Sequence, residues 1–349
     1  MLSPLFQLTV LFALAAALSS CRTVSFYAQA WRGQRQILTE AKPIARVLKD
    51  PSTSEAVRKK LELVLELRKF AAEELLLPAD KQYDHYCDLK RKYVVWVVYA
   101  APEFSVEGKT WWYPLVGSLK YRGFFSEENA KHEAAELKAN GYDVYLAGTE
   151  GYSTLGYLRD PVLNTFLHRS DAELAELIFH ELTHQGLYLS GDTDFNEALA
   201  TAVGEEGAVR WLKAKGRTKE LKAYQAQRQL QRQIVRIVLD TRARLKDLYA
   251  RHAGDPPEKL RALKTAEFEH MRAEGRRLRK QSTGKPDLRR PSKPGNNATL
   301  NSIAAYYTLL PAFERMIREE HGDLERFYRR VEAMKPMTKE ERRQALGKL

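Results

Sequence analysis

The sequence predicts an α+β chain: mostly helical, with a small β-sheet ahead of two central helices and long charged helices after them. Three observations predict it. Apolar residues recur at helical spacing over most of the 349 residues. Only the stretch 93–150 turns to β-branched and aromatic runs. Between these textures, 171–213 carries helix-start signals and small residues suited to close packing.

Met1 to Ser20 stand apart. They carry no charged side chain, hold an apolar stretch from Leu8 to Leu18, and end in Leu18-Ser19-Ser20-Cys21. An apolar run followed by small residues reads as a secretory signal, excluded from the fold. The small-small-Cys ending resembles the bacterial lipobox, which would make Cys21 the lipidated first residue of the mature chain. No Lys or Arg precedes the run, so a signal anchor and an ordinary cleaved signal are the alternatives; the run is short for a spanning helix. Residues 21–349 are read as one domain, long enough to bury a core without disulfides. Cys87, the one other cysteine, is expected as a packed thiol.

The first mature part, 26–90, is expected to be helical. Ile37, Leu38, Ile44 and Leu48 precede a turn at Asp50-Pro51, and Leu61, Val64, Leu65 and Leu67 follow it. Tyr93 to Tyr99 reads as a strand buried on both faces. Trp111 to Gly117 and Tyr142 to Ala147 read as further strands, with a helix over Ser126 to Asn140 closed by Gly141 between them. After Gly216 the helices are long and charged, broken at Gly254-Asp255-Pro256-Pro257. Residues 281–297 read as a loop, and a last helical region begins near Ala298.

The charge balance is basic: 57 Lys+Arg against 45 Asp+Glu give +12, concentrated in Arg210 to Arg251 and Arg276 to Lys293. Anionic headgroups or acidic glycans would suit such a surface. The plainer reading is a pair of solvated charged helices. Aromatic interleaving is sparse there, so no nucleic-acid partner is expected.

The central segment carries the chemistry. His180-Glu181-Leu182-Thr183-His184 is an HExxH motif. On a helix, positions i and i+4 share a face, so both imidazoles can meet one metal ion. Glu181 lies about 100° round the same turn, within reach of a water on that ion. Ser170 and Glu173 have capping-box spacing, and the apolar positions run on to an expected stop at Gly191. The bland alternative is two helix-face histidines with an exposed Glu.

A catalytic zinc usually takes three protein ligands and leaves one position open. The turn Ser190 to Thr193 should fold a second helix, Asp194 to Glu206, back against the first. That makes Glu197 the chosen third ligand, although Asp194 with Glu197 also has capping-box spacing. Glu205 and Glu206 are the reserves. Either could instead bind a substrate amine or orient a ligand histidine.

Several stretches together resemble a bacterial family of predicted aminopeptidases, zinc-dependent lipoproteins of the gluzincin type. They are Val98 to Glu103, Tyr121-Arg122-Gly123-Phe124-Phe125, Gly141 to Tyr145, Tyr152 to Gly156, the HExxH helix with Phe195-Asn196-Glu197-Ala198, and Asn296-Asn297-Ala298 with Tyr306 and Pro311-Ala312-Phe313. The resemblance implies a zincin-like fold and a peptidase that binds one Zn²⁺ through His180, His184 and Glu197, with Glu181 as catalytic base. Two further roles are physical readings of the matched pieces. Tyr142 to Ala147, or the Tyr152-Ser153-Thr154 loop, is the candidate surface for pairing with an extended peptide; ordinary sheet structure is the alternative. Tyr306, with Tyr307 beside it, is the candidate donor to the tetrahedral oxyanion, against a buried core tyrosine. Asn297 and Asn296 either touch substrate or cap the helix near Ala298.

The expected reaction is zinc-dependent peptide hydrolysis, with Glu181 moving the proton from water to the leaving amine. An aminopeptidase also needs an acid for the substrate α-amine, and Glu205, Glu206 and Glu150 are the candidates. An endopeptidase with the same site is the alternative. From another class, the rival is a non-catalytic envelope lipoprotein that binds through its basic helices. The expected location is the cell envelope, lipid-anchored through Cys21 and facing the periplasm. Arg22 in place of an acidic residue after Cys21 leans toward the outer membrane.

Overall fold

The computed structural model describes residues 24–113, 117–154, 158–281 and 295–347. Cys21 and the signal segment lie outside them. The chain is α+β and mostly helical, as expected. Helix α1 (24–40) leads into the two-residue strand β1 (Lys42–Pro43), α2 (Ile44–Lys49) and α3 (Glu55–Glu74). Ser54 caps α3 by accepting from the Val57 N–H, and Leu61, Val64 and Leu67 face the core at helical spacing. Helix does not continue to residue 90. Leu76 and Tyr83 take positive φ, Pro78 follows the helix end, and β2 (His85–Cys87) pairs with β1 and β8 (Val162–Leu163). A left-handed residue with a proline two positions on is a poor helix continuation. Cys87 is fully buried there, and burial pushes its thiol up to about 11, as suits a packed, inert group.

The main sheet has the order β6-β3-β7 and is antiparallel: β3 (Val95–Pro102) is flanked by β6 (Arg122–Phe124) and β7 (Tyr142–Thr149). The run of Val and aromatic residues in β3 is buried on both faces, as its composition requires. Helix α4 (Glu127–Ala139), capped by Ser126, packs Ala130, Ala134 and Leu137 on one face, and Gly141 (φ +79°) turns the chain into β7. The strand expected over Trp111 to Gly117 is instead a hairpin of β4 (Trp111–Tyr113) and β5 (Gly117–Leu119), where Gly117 has φ +77°. Residues 114–116 fall outside the described set.

The two central helices, α5 (Asp171–Gly186) and α6 (Thr193–Ala214), lie against each other over much of their lengths. Both halves of the Ser170–Glu173 capping box are present. The first helix stops at Gly186 rather than near Gly191. Leu187 is extended, and the buried Asn196 side chain clamps Leu189, accepting from its N–H and donating to its carbonyl, both at 2.8 Å. Gly191 (φ +79°) serves the connecting turn instead. The cap of α6 is Asp192, not Asp194. Asp192 is buried and grips Arg342 and Arg343 of α12 (Lys339–Gly347), so the chain's last helix holds the turn between the two central ones.

Helices α7 (Thr218–Arg251) and α8 (Pro257–Gln281) form a long hairpin with its own apolar seam, including Leu245, Leu248, Leu260 and Phe268. Many of its arginines are engaged: Arg244 with Glu267, Arg242 with the Val106 carbonyl, Arg228 with Glu176. Helix α9 (Asn297–Tyr307) then crosses between α6 and the sheet, followed by α10 (Leu310–Glu319) and α11 (Leu324–Glu332). Among the described residues, no helix is long and apolar enough to cross a membrane.

Candidate metal centre

The close pairing of α5 and α6 depends on Gly204. A Cβ there would lie 2.8 Å from the Glu176 carbonyl oxygen and 3.2 Å from the His180 Cβ. No side chain fits between those backbones. The absence of one brings the His180 turn of α5 against α6, while the Asn196 clamp sets the start of α6 beside His184.

This brings three donors together. His180 Nε2 and His184 Nε2 are 3.2 Å apart, and Glu197 Oε2 lies 3.4 Å from the first and 3.6 Å from the second. Among the described residues, His180, His184 and Glu197 are the one group of His, Cys, Asp or Glu whose ligand atoms converge enough to hold a metal ion. Tetrahedral zinc with bonds of about 2.0–2.1 Å needs ligand atoms about 3.3 Å apart, and the observed set has that spacing. The residues therefore fit a metal ion. Burial works against ionisation of Glu197, but His184 and hydrogen bonds from both histidines outweigh it and hold the carboxyl down to about 2. Burial likewise opposes charge on His184, yet Glu197 and then Glu181 push its pKa up overall.

Glu181 faces the end of β7. A Cβ on Gly151 would fall 3.0 Å from Glu181 Oε1, so the bare backbone there leaves the carboxylate room. Tyr152 follows, its ring 5.4 Å from Phe125. Asp160 ties down the same loop: its carboxylate accepts from the Thr154 N–H and hydroxyl, both at 2.8 Å, and from Ser153. Burial pushes Asp160 up to about 6. Strand β7 has β3 on one side and no strand on the other among the described residues. Asn296 donates to the Val144 carbonyl on that outer side. Antiparallel alternation then turns the backbone groups of Leu146 and Gly148 outward on the same edge.

Tyr306 stacks near His180, ring centroids 6.2 Å apart and planes 23° from parallel. Burial first, then the Glu197 charge, push its hydroxyl well above the ordinary phenol value, so it stays protonated and able to donate. Tyr99 of β3 hydrogen-bonds Tyr306, and Tyr121 stands 5.7 Å from Tyr99. The sequence reading assigned neither Tyr99 nor Tyr121 a place here. Tyr99 was legible as a buried strand residue within a matched stretch, and Tyr121 as part of another, with no role attached to either. Tyr307, next to Tyr306, faces the Glu205 side of α9 instead.

Other nominated residues lie elsewhere. Glu205 faces α7 and α10, ion-paired with Arg228 and Arg232. Glu206 pairs with Arg210, and Glu150 with Arg169. Asn297 is fully buried: it accepts from the Tyr249 hydroxyl and donates to the Pro102 and Glu103 carbonyls. Asn296 is the N-cap of α9, in a reciprocal box with Thr299. The two asparagines therefore position α9, and no free amide of Asn297 is left for a substrate.

A mostly helical α+β chain with a three-donor metal-capable group on paired helices defines the class to which the chain belongs. The match to a family model is more particular. Residues 25–346 match the family described as "Putative aminopeptidase", and the chain belongs to that family. The family supports peptide hydrolysis in broad terms. Comparison with curated proteins and with solved structures returns no match.

Proposed function

We propose that this chain is a zinc-dependent peptidase of the bacterial cell envelope, anchored through Cys21, with a zincin-like site. The convergence of His180 Nε2, His184 Nε2 and Glu197 Oε2 within 3.2–3.6 Å carries the reading. Two imidazoles and one carboxylate make a donor set suited to zinc. When bound, the ion supplies Lewis-acid polarisation of the scissile carbonyl and a nucleophilic water at neutral pH. The protein residues do the rest. Glu181 takes the proton from water during attack and passes it to the leaving amine nitrogen. Tyr306, kept neutral by burial, donates to the developing oxyanion. The open edge of β7 at Leu146 and Gly148 pairs with the peptide backbone and sets its direction across the site.

The family description favours release of N-terminal residues. One observation favours an endopeptidase: Glu150, Glu205 and Glu206, the acids nominated to hold a substrate amine, are each paired with an arginine. A free peptide compared with its N-acetylated form separates the two readings. Equal cleavage of the blocked peptide ends the aminopeptidase reading. For the shared chemistry, Glu181→Gln should keep stoichiometric zinc and lose about 10²–10⁴-fold in turnover. Unchanged turnover would refute it.

A further inference from the structure

Helix α1 buries one face and leaves an unusual one outside. The inner face carries Phe26, Gln29, Gly33 and Ile37. Gln29 accepts from the Phe125 N–H at 2.9 Å, and a Cβ on Gly33 would fall 2.1 Å from the Phe125 ring. On the outside, Val24 is 63% exposed, Tyr27 43%, Trp31 63% and Leu38 41%. At about 100° per residue these four fall within an arc of about 60°, a stripe about 21 Å long. Arg35 stands beside it with its guanidinium 5.5 Å over the Trp31 ring, and Arg32 lies one step round. Neither arginine pairs with a carboxylate among the described residues, and Glu40 is the only acid of the helix. Near the start of α1, the Tyr113 ring packs 5.9 Å from Phe26, and its neighbour Trp112 is 71% exposed.

We propose that this face rests on an anionic phospholipid surface, with Trp31, Tyr27, Val24 and Leu38 at headgroup depth and Arg32 and Arg35 paired to phosphates. The proposal rests on the reading of Cys21 as the lipid-anchored residue. Val24 is three positions on from Cys21, so even a fully extended chain starts the stripe within about 10 Å of the acyl attachment. Trp, Tyr and Arg together form the composition that a membrane interface favours. A second copy of the chain would leave Arg32 and Arg35 facing their like, whereas anionic headgroups neutralise them. Because α1 packs on Phe125, and Phe125 on Tyr152 beside Glu181, the contact would hold the cleft at a fixed attitude to the membrane.

The test uses tryptophan fluorescence of the full chain in vesicles of brominated phosphatidylglycerol. Residues 1–23 contain no Trp, so the anchor is silent. The wild-type chain should be quenched, and Trp31→Phe with Trp112→Phe should remove most of that quenching while the protein still floats with the vesicles. Quenching should also fall as neutral lipid replaces the anionic one. Floating protein with no quenching, or equal quenching in the double variant, would overturn the membrane face while leaving the anchor standing. A chain that does not float would overturn both. A dimer in water that Trp31→Ser converts to monomer would assign the stripe to self-association and overturn the proposal as well.

Discussion

Glu197 and Glu205 lie on the same helix, about two turns apart, and both are buried. Yet one carboxyl is held down to about 2 and the other pushed up to about 7. The difference comes from what packs against each. Glu197 meets two imidazoles of α5 that can share a cation with it. Glu205 meets Arg228 and Arg232 of α7, but its burial together with nearby Glu176 and Glu314 outweighs those arginines. A buried acid on α6 thus becomes a ligand site or part of a closed ion-pair network according to the helix it faces. The sequence of α6 by itself held both as candidate ligands.

The largest effect that would break this contrast is on metal binding. Glu197→Gln should weaken zinc by more than the about 10–100-fold typical of an outer partner, read by chelator competition. Glu205→Gln should leave zinc affinity within about twofold, since its carboxylate is not among the converging donors. If the two variants behaved alike, the assignment of different roles would be wrong. If their effects were reversed, the ligand role would pass to Glu205.

The second effect is pH dependence. A carboxyl raised in the folded state keeps a proton that the unfolded chain has already released. Between its ordinary value of 4.5 and about 7, Glu205 therefore makes stability fall as pH rises. The full penalty, on the order of 3 kcal/mol, is absent below pH 4.5 and complete above about 7. Glu205→Gln removes the titration and keeps an acceptor for Arg232. Urea unfolding at a series of pH values should show the wild type losing about that much relative to the variant across this window. A pH-independent difference would show that the arginines hold Glu205 ionised after all.

Much of the centre was legible because helix geometry is local. Spacing puts His180 and His184 on one face, and the Ser170–Glu173 box fixes where their helix begins. The sequence favoured Glu197, but setting Glu205 aside needed the register between two helices, which the Asn196 clamp on Leu189 and the gap at Gly204 determine. Those are contacts between segments, and composition does not encode them. Tyr99 and Tyr121 escaped for the same reason. Each reaches the site only after the sheet is laid beside α9, and a tyrosine in a buried strand looks the same in sequence whether or not a metal is near. The break at 41–43 and the loop after Glu74 were missed because short edge pairings such as Lys42 with Tyr86 leave no periodic trace.

The smallest effect sharpens the contrast at the helix interface itself. Gly204 and Gly207 are one turn apart on α6, and an added Cβ would crowd both. At Gly207 the obstacles are the Phe179 ring at 2.6 Å and the Leu75 Cδ1 at 2.7 Å, side chains that are fully buried but can turn without moving the backbone of α5. At Gly204 the obstacle is the Glu176 backbone oxygen at 2.8 Å, which moves only with α5. Alanine gains up to about 1 kcal/mol of helix propensity at either site. Overpacking costs about 1–3 kcal/mol where the neighbours cannot yield. Gly204→Ala should therefore lower the melting temperature and weaken zinc, because pushing α5 away carries His180 from Glu197. Gly207→Ala should also lower the melting temperature, because Phe179 and Leu75 are fully buried, but keep zinc affinity. Equal zinc affinity in the two variants would mean that the spacing at Gly204 does not hold the donors together, and that the Asn196 clamp alone sets their register.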